Sequence, residues 1–255
     1  MIYLIISFLA SVVGAICGIG GGVIIKPCLD MLSLTDASTA NFLSGCTVLS
    51  MTTYSVFGNI VTRGHQLNVI QTTPLAVGAA VGGVVGKQIL SFATAAMASA
   101  EVKRLQAMYL LFVTAAAFLY TLNKHQIASR NVKSKYISIM IGLLLGIMSS
   151  FLGIGGGPVN LVVLYYAFGM DTKEAAQNSL YVILFSQLAS LLTTVVSGSI
   201  PPVELTALLL MIAGGILGGI TGRAVNKRVS IKTIDRLFKV VMILLMGLCI
   251  YNMDI

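Results

Sequence analysis

Five residues, Gly18-Ile19-Gly20-Gly21-Gly22, recur 135 positions later as Gly153-Ile154-Gly155-Gly156-Gly157. Both runs lie in stretches without a charged side chain. Consecutive glycines break a helix, because each costs about 1 kcal/mol of helix propensity relative to alanine. A helix restarting at Gly21–Val23, or at Gly156–Pro158, begins with backbone N–H groups that it cannot pair itself. The helix macrodipole adds about half a positive charge at such a start. Oxyanions bind there readily, and glycine removes the Cβ that would hold a ligand off the backbone. Gly20, Gly21, Gly22, Gly155, Gly156 and Gly157 are therefore candidate anion-binding residues. Pro158 suits a first helical position, where its missing N–H is not needed. The competing reading is close helix packing, although packing glycines recur at i, i+4 rather than in a contiguous run.

Several side chains are placed to complete such a site. Cys17 directly precedes the first run, and its thiol is either a weak donor or a small apolar filler. Lys26 lies one turn into the second helix. An ammonium inside a bilayer costs about 2.5–3.5 kcal/mol on insertion scales. It either attracts an anion or snorkels, with Asp30 four residues on as its partner. Asn41, Ser44, Gln177, Asn178 and Ser179 open the third helix of each half, where amides and hydroxyls serve an oxyanion or cap a helix. Asn160 follows the second run by three residues. Asp36 and Asp171 precede helices and read as N-terminal helix charges, with ion coupling the alternative. Arg63 and His65 at a helix end, and Tyr165 and Tyr166, read as topology or interface residues. His125 in the linker has no partner in view.

The elements that must position these residues are membrane helices. The chain is 57% hydrophobic and 9% charged, with mean hydropathy +0.96, where soluble domains carry about 25% charged residues. Charge-free stretches cover 1–25, 37–62, 66–86, 105–123, 136–170, 175–203 and 205–222. Most reach the roughly 20 residues that span a bilayer. Residues 1–17 lack a basic leader region and a cleavage motif, so they read as a retained first helix. Cys17, Cys28, Cys46 and Cys249 show neither metal-ligand nor disulfide spacing, so no metal or cofactor is expected. The net charge of +8 sits in short loops, which is topology rather than nucleic-acid binding.

The chain reads as an all-α polytopic membrane protein built from two homologous repeats. At offset 135, Asp36 matches Asp171, Ala40 matches Ala175 and Ser44 matches Ser179. At offset 136, Gly78-x3-Gly82-Gly83-x2-Gly86-Lys87 matches Gly214-x3-Gly218-Gly219-x2-Gly222-Arg223. These later glycines read as packing positions, with pathway lining as the alternative. The repeats cover 1–123 and 136–255, with a linker at 124–135. Each holds a glycine-broken pair of short helices and three long ones: 2–17, 22–34, 38–62, 68–90 and 103–122, then 136–152, 157–169, 174–197, 203–222 and 233–252. Parallel repeats would divide the loop Lys and Arg nine to five between the two sides, and inverted repeats eleven to three. The positive-inside rule favours the sharper division, hence inverted repeats with a cytoplasmic linker.

Two Gly-Ile-Gly-Gly-Gly segments opening two halves, with Pro27 and Pro158 close behind and an Ala-to-Ser step into the next helix, resemble the sulfite exporter TauE/SafE family over essentially the whole chain. The resemblance implies a transporter of sulfur-containing anions such as sulfite, thiosulfate or sulfonates, in the cytoplasmic membrane. Together with the breaks it points to a secondary transporter that holds its anion between opposed helix starts. The alternatives are an anion channel and a membrane helper subunit of a sulfur-uptake system. Coupling is open between a co-transported proton or sodium ion and uncoupled exit of the anion down the membrane potential; lipid is the surroundings, and the oligomeric state is open. No H-E-x-x-H, G-x-S-x-G or nucleotide-binding loop occurs, so neither an enzyme nor an ATP-driven pump is expected.

Overall fold

The computed structural model describes residues 1–32, 35–61, 67–124, 126–154 and 156–254. Among them the chain forms ten helices and no strand: α1 (Ile2–Cys17), α2 (Gly22–Met31), α3 (Ala37–Val61), α4 (Val69–Ala96), α5 (Ser99–Asn123), α6 (Lys135–Leu152), α7 (Pro158–Phe168), α8 (Thr172–Val196), α9 (Leu205–Arg228) and α10 (Ile231–Asp254). The expected helix order stands. α4 and α9 run six residues beyond their expected ends: α9 passes Arg223, because a basic side chain at a helix end does not stop the helix, and α4 continues through 91–96, which holds no glycine or proline to break it. α2 ends at Met31, three residues early, and residues 33 and 34 lie outside the described residues.

Among the described residues five helices (α4, α5, α6, α8 and α9) are long and apolar enough to cross a membrane, and α1 and α7 are apolar but shorter. α3 and α10 are as long, at 25 and 24 residues. Ser, Thr and Asn along α3, and Lys232, Asp235, Arg236 and Lys239 in α10, dilute their hydropathy. The apolar side chains on the outside include Phe57, Phe112, Val196 and Leu244, all more than half exposed. Polar side chains of α3 and α8 turn inward, among them Ser44, Thr47, Thr52, Gln177, Asn178, Ser179 and Ser186. Thr47 and Thr52 donate to the carbonyls of Leu43 and Val48 one turn back, which satisfies a hydroxyl without a partner helix.

The later glycines are where helices touch. A Cβ on Gly78, Gly82 or Gly86 of α4 would collide with the carbonyl oxygens of Ile139, Leu143 or Ile147 of α6. On α9, a Cβ at Gly218 or Gly222 would meet the carbonyl oxygens of Phe8 or Val12 of α1, and one at Gly214 the Ser7 hydroxyl. Close approach of this kind lets backbones pack directly, as the packing reading of these glycines expects.

The numbering of each contact gives helix direction. Contacts rise together along α4 and α6, along α1 and α9, along α3 and α9 (Gly215 with Thr47, Gly219 with Met51), and along α4 and α8 (Thr72 with Asn178, Gly83 with Ser186). Between α3 and α8 they run oppositely, Gly45 meeting Gln187 while Asn59 meets Gln177. So α1, α3 and α9 point one way, and α4, α6 and α8 the other. The linker end carries the start of α8 and α10, where Lys124 bonds Thr172 and Asp235. The terminal end carries the starts of α3 and α5, joined by Ala37 N–H donating to Ser99 Oγ, and the end of α10, where Arg104 Nε donates to the Met253 carbonyl.

Candidate functional site

Each glycine break begins as a helix cap. Gly18 closes α1 at φ 76° and donates its N–H to the Gly14 carbonyl. Gly153 closes α6 at φ 66°, and the N–H of Ile154 reaches the Ser149 carbonyl. Gly20 at φ 74°, Gly156 at φ 149° and Gly157 at φ 127° carry the chain through conformations that side chains rarely adopt. Gly155 lies outside the described residues. α2 then starts at Gly22, and α7 at Pro158.

The two breaks meet. A Cβ on Gly22 would collide with the Ile154 carbonyl oxygen and would lie 2.8 Å from Val48 Cγ2. A Cβ on Gly157 would touch Ile154 Cδ1 and Val23 Cγ2, both at 3.6 Å. Ile183 of α8 closes the other side, 2.6 Å from a Cβ on Gly156 and 3.3 Å from one on Gly20. Ile19, Val23, Val48, Ile154 and Ile183 are essentially unexposed. The helix starts are thus adjacent, but apolar side chains fill the space around them.

Polar atoms ring this apolar plug. Ser44 and Ser179, each one turn before Val48 and Ile183, are 0% exposed, and both hydroxyls lack a partner. Asn41 sits against Gly153, with both amide atoms buried and unpaired. Asn160 Nδ2 would lie 3.0 Å from a Cβ on Gly156. Gly21 faces Ser11, whose buried hydroxyl is also unpaired and which sequence reasoning missed. Cys17 is 1% exposed and packs in the apolar cluster with Ile19, Val23 and Ile154. Asn178 is bonded to α4. Its Oδ1 accepts from Thr72 Oγ1 at 2.6 Å and from Asn68 N–H at 3.1 Å, and its Nδ2 donates to the Glu174 carbonyl. These bonds tie α8 to α4. Asp36 and Asp171 cap α3 and α8 by accepting first-turn N–H groups.

Lys26 does not snorkel to water. It is 3% exposed and paired with Asp30 at 2.9 Å, while Asp30 Oδ1 lies 3.6 Å from Lys103. Two amides that sequence reasoning also missed serve the broken helices. Asn226 Nδ2 donates to the Ile16 carbonyl at 2.6 Å, and Gln106 Nε2 donates to the Phe151 carbonyl at 2.5 Å. Ile16 and Phe151 are the residues just before the last of α1 and α6, 135 positions apart. Neither amide carries a sequence signal, since Asn226 stands next to Lys227 and Arg228, and Gln106 two residues after Arg104. Asn226 continues into a polar chain: Gln177 Nε2 donates to Asn226 Oδ1, Asn59 donates to Gln177, and Arg223 Nε donates to Asn59 Oδ1.

At the linker end a cavity of about 350 Å³ is lined by Tyr120, Lys124, Tyr165, Asp171, Thr172 and Asp235. Lys124 pairs with Asp235 at 2.8 Å and lies 4.9 Å above the Tyr165 ring. A larger apolar groove between α3 and α9 opens outward past Tyr54, Phe57 and Ile216, away from the breaks. Among the described residues no group of three His, Cys, Asp or Glu is placed to hold a metal.

No solved structure matches the chain. It is 22% identical over 273 residues to a probable membrane transporter protein, YunE, of Bacillus subtilis (strain 168), covering 99% of this chain and 97% of that protein. The sequence model of the sulfite exporter TauE/SafE family matches residues 3–249. With an all-helical, multi-pass membrane architecture around two touching glycine breaks, the chain belongs to the sulfite exporter TauE/SafE family.

Proposed function

We propose that this membrane transporter moves a small sulfur-containing oxyanion (sulfite, thiosulfate or a sulfonate) across the cytoplasmic membrane by alternating access. The meeting of the two glycine breaks at Gly22, Ile154 and Gly157 carries the reading. Two helix starts there offer N–H donors and dipole charge from both halves. Neutral donors select an anion yet release it, as transport requires. Gly20, Gly21, Gly22, Gly155, Gly156 and Gly157 supply backbone, with Asn41, Ser44, Asn160 and Ser179 as unpaired or adjacent polar groups. Ile154, Ile183 and Val48 form the barrier that withdraws when an anion enters.

Inverted repeats fit the opposed directions of α1 and α6, of α3 and α8, and of α4 and α9. With the linker end cytoplasmic, ten described Lys and Arg lie on that side against Lys87, Lys103 and Arg104 on the other, in keeping with the positive-inside rule. Export of one negative charge down an inside-negative potential gains about 2.3 kcal/mol per 100 mV, and import needs a coupled proton or sodium ion.

The test is uptake and current in proteoliposomes of the pure protein. The panel holds thiosulfate, sulfite, sulfate, a sulfonate and a small carboxylate, with and without a proton gradient. Saturable flux of a sulfur oxyanion that accelerates with the same anion on the far side is the expected result. Non-saturating flux would indicate a channel, and no flux from folded protein a helper subunit.

A further inference from the structure

α2 places Gly22, Lys26 and Asp30 four residues apart, on one face. Gly22 meets the second break, and Lys26 and Asp30 lead from that contact toward the terminal end. The Lys26 ammonium has three donors and makes one hydrogen bond, to Asp30. Asp30 is shared with Lys103, whose side chain is 21% exposed and also donates to the Thr35 carbonyl. One carboxylate therefore serves two cations.

Beside Lys26 lies a cavity between α2, α5 and α10, with Leu152 and Ile154 of the second break on its wall and with Gln106 and Asn252 lining it. It offers about 10 Å³ for the centre of a water molecule, enough for one. Gln106 and Asn252 each donate one N–H, to the carbonyls of Phe151 and Pro27. Their carbonyl oxygens are buried and unpaired. Unpaired buried atoms are few in folded proteins and call for an explanation. Here spare donors and spare acceptors border one space, on a line from the partly exposed Lys103 to the breaks.

We propose that this cavity is an anion subsite on the terminal side of the breaks, and that Asp30 stands in it for the absent ligand. The ligand is a small, singly charged oxyanion that keeps one hydrogen. Its oxygens take the spare donors of Lys26, and its O–H donates to Gln106 Oε1 or Asn252 Oδ1. Asp30 yields Lys26 and stays with Lys103, so the subsite widens as it fills. A fully deprotonated anion such as sulfate has no hydrogen for the two acceptors and meets their negative ends. The inference rests on the transport reading and adds the protonation state of the substrate.

The test is binding of labelled sulfite and labelled sulfate to the purified full chain, by equilibrium dialysis below the second ionisation of sulfite. Wild type is expected to prefer hydrogensulfite by about tenfold or more, the scale of one satisfied against one unmet hydrogen bond. Asn252→Leu and Gln106→Leu should reduce that preference to about threefold or less. Asp30→Asn should tighten hydrogensulfite binding about fivefold, because an amide competes poorly for an ammonium. Equal loss of both anions in the amide variants, or unchanged or weaker binding in folded Asp30→Asn, would overturn the subsite. Should Asp30→Asn fail to fold, Lys103→Gln is assayed from each side of proteoliposomes. Its KM should rise about threefold for anion presented at the terminal end alone, and an equal change or none at both ends overturns the proposal. Wild-type protein that neither binds nor moves any anion refutes the transport reading instead.

Discussion

Gly157 separates two reasons for glycine at the breaks. A Cβ there would find ordinary contact at 3.6 Å, so space is not the constraint. The constraint is φ 127° with ψ −170°, a region closed to other residues at a cost of about 1–3 kcal/mol. Gly157→Ala is therefore expected to lower thermal stability by that amount and to cut anion flux, since relief of the strain tilts the start of α7. Flux equal to wild type would mean that the geometry of the second break does not set the site. Asn226 tests a different residue-level claim. Its amide pairs with both the Ile16 carbonyl and Gln177. Asn226→Leu strands buried polar groups and should cost about 1–3 kcal/mol in detergent unfolding. A neutral result would mean that water replaces the amide.

Among the elements, glycine has opposite effects according to what faces it. On α4, a Cβ at Gly82 collides with the Leu143 carbonyl of α6, a backbone atom that cannot turn aside. Gly82→Ala should force the helices apart and destabilise by about 1–3 kcal/mol. On α10, a Cβ at Gly247 meets nothing within 4 Å. Gly247→Ala should instead stabilise by up to about 1 kcal/mol, the propensity difference between the two residues. Thermal unfolding of both variants in one detergent checks the contrast, and equal shifts would contradict the close α4–α6 packing.

At the scale of the molecule, the two ends differ in charge and in access. The linker end has a cavity of about 350 Å³ behind Lys124 and Asp235, while the terminal end is closed around Lys26, Asp30 and Lys103. A protease site placed in residues 126–134 should be cut in inside-out vesicles and protected in right-side-out ones, as the charge bias requires. The reverse pattern would invert the proposed orientation and with it the side from which Lys103 receives the anion.

Composition and local pattern determined the helical class, the membrane setting, the order of the ten helices and the positions of both breaks. These are local matters: glycine propensity, apolar run length and the i, i+4 recurrence of small residues are written along the chain itself. The packing role of Gly78, Gly82, Gly214 and Gly218 was legible for the same reason. Tertiary structure alone decided which polar groups meet. Lys26, Lys103, Gln106 and Asn252 come from α2, α5 and α10, and no spacing in the sequence links them. Nor does spacing reveal that Asn178 is taken by Thr72 and Asn68, whereas Ser44 and Ser179 keep free hydroxyls. A side chain's partner depends on which helix lies across from it, and that is fixed by the packing of distant segments rather than by the residues beside it.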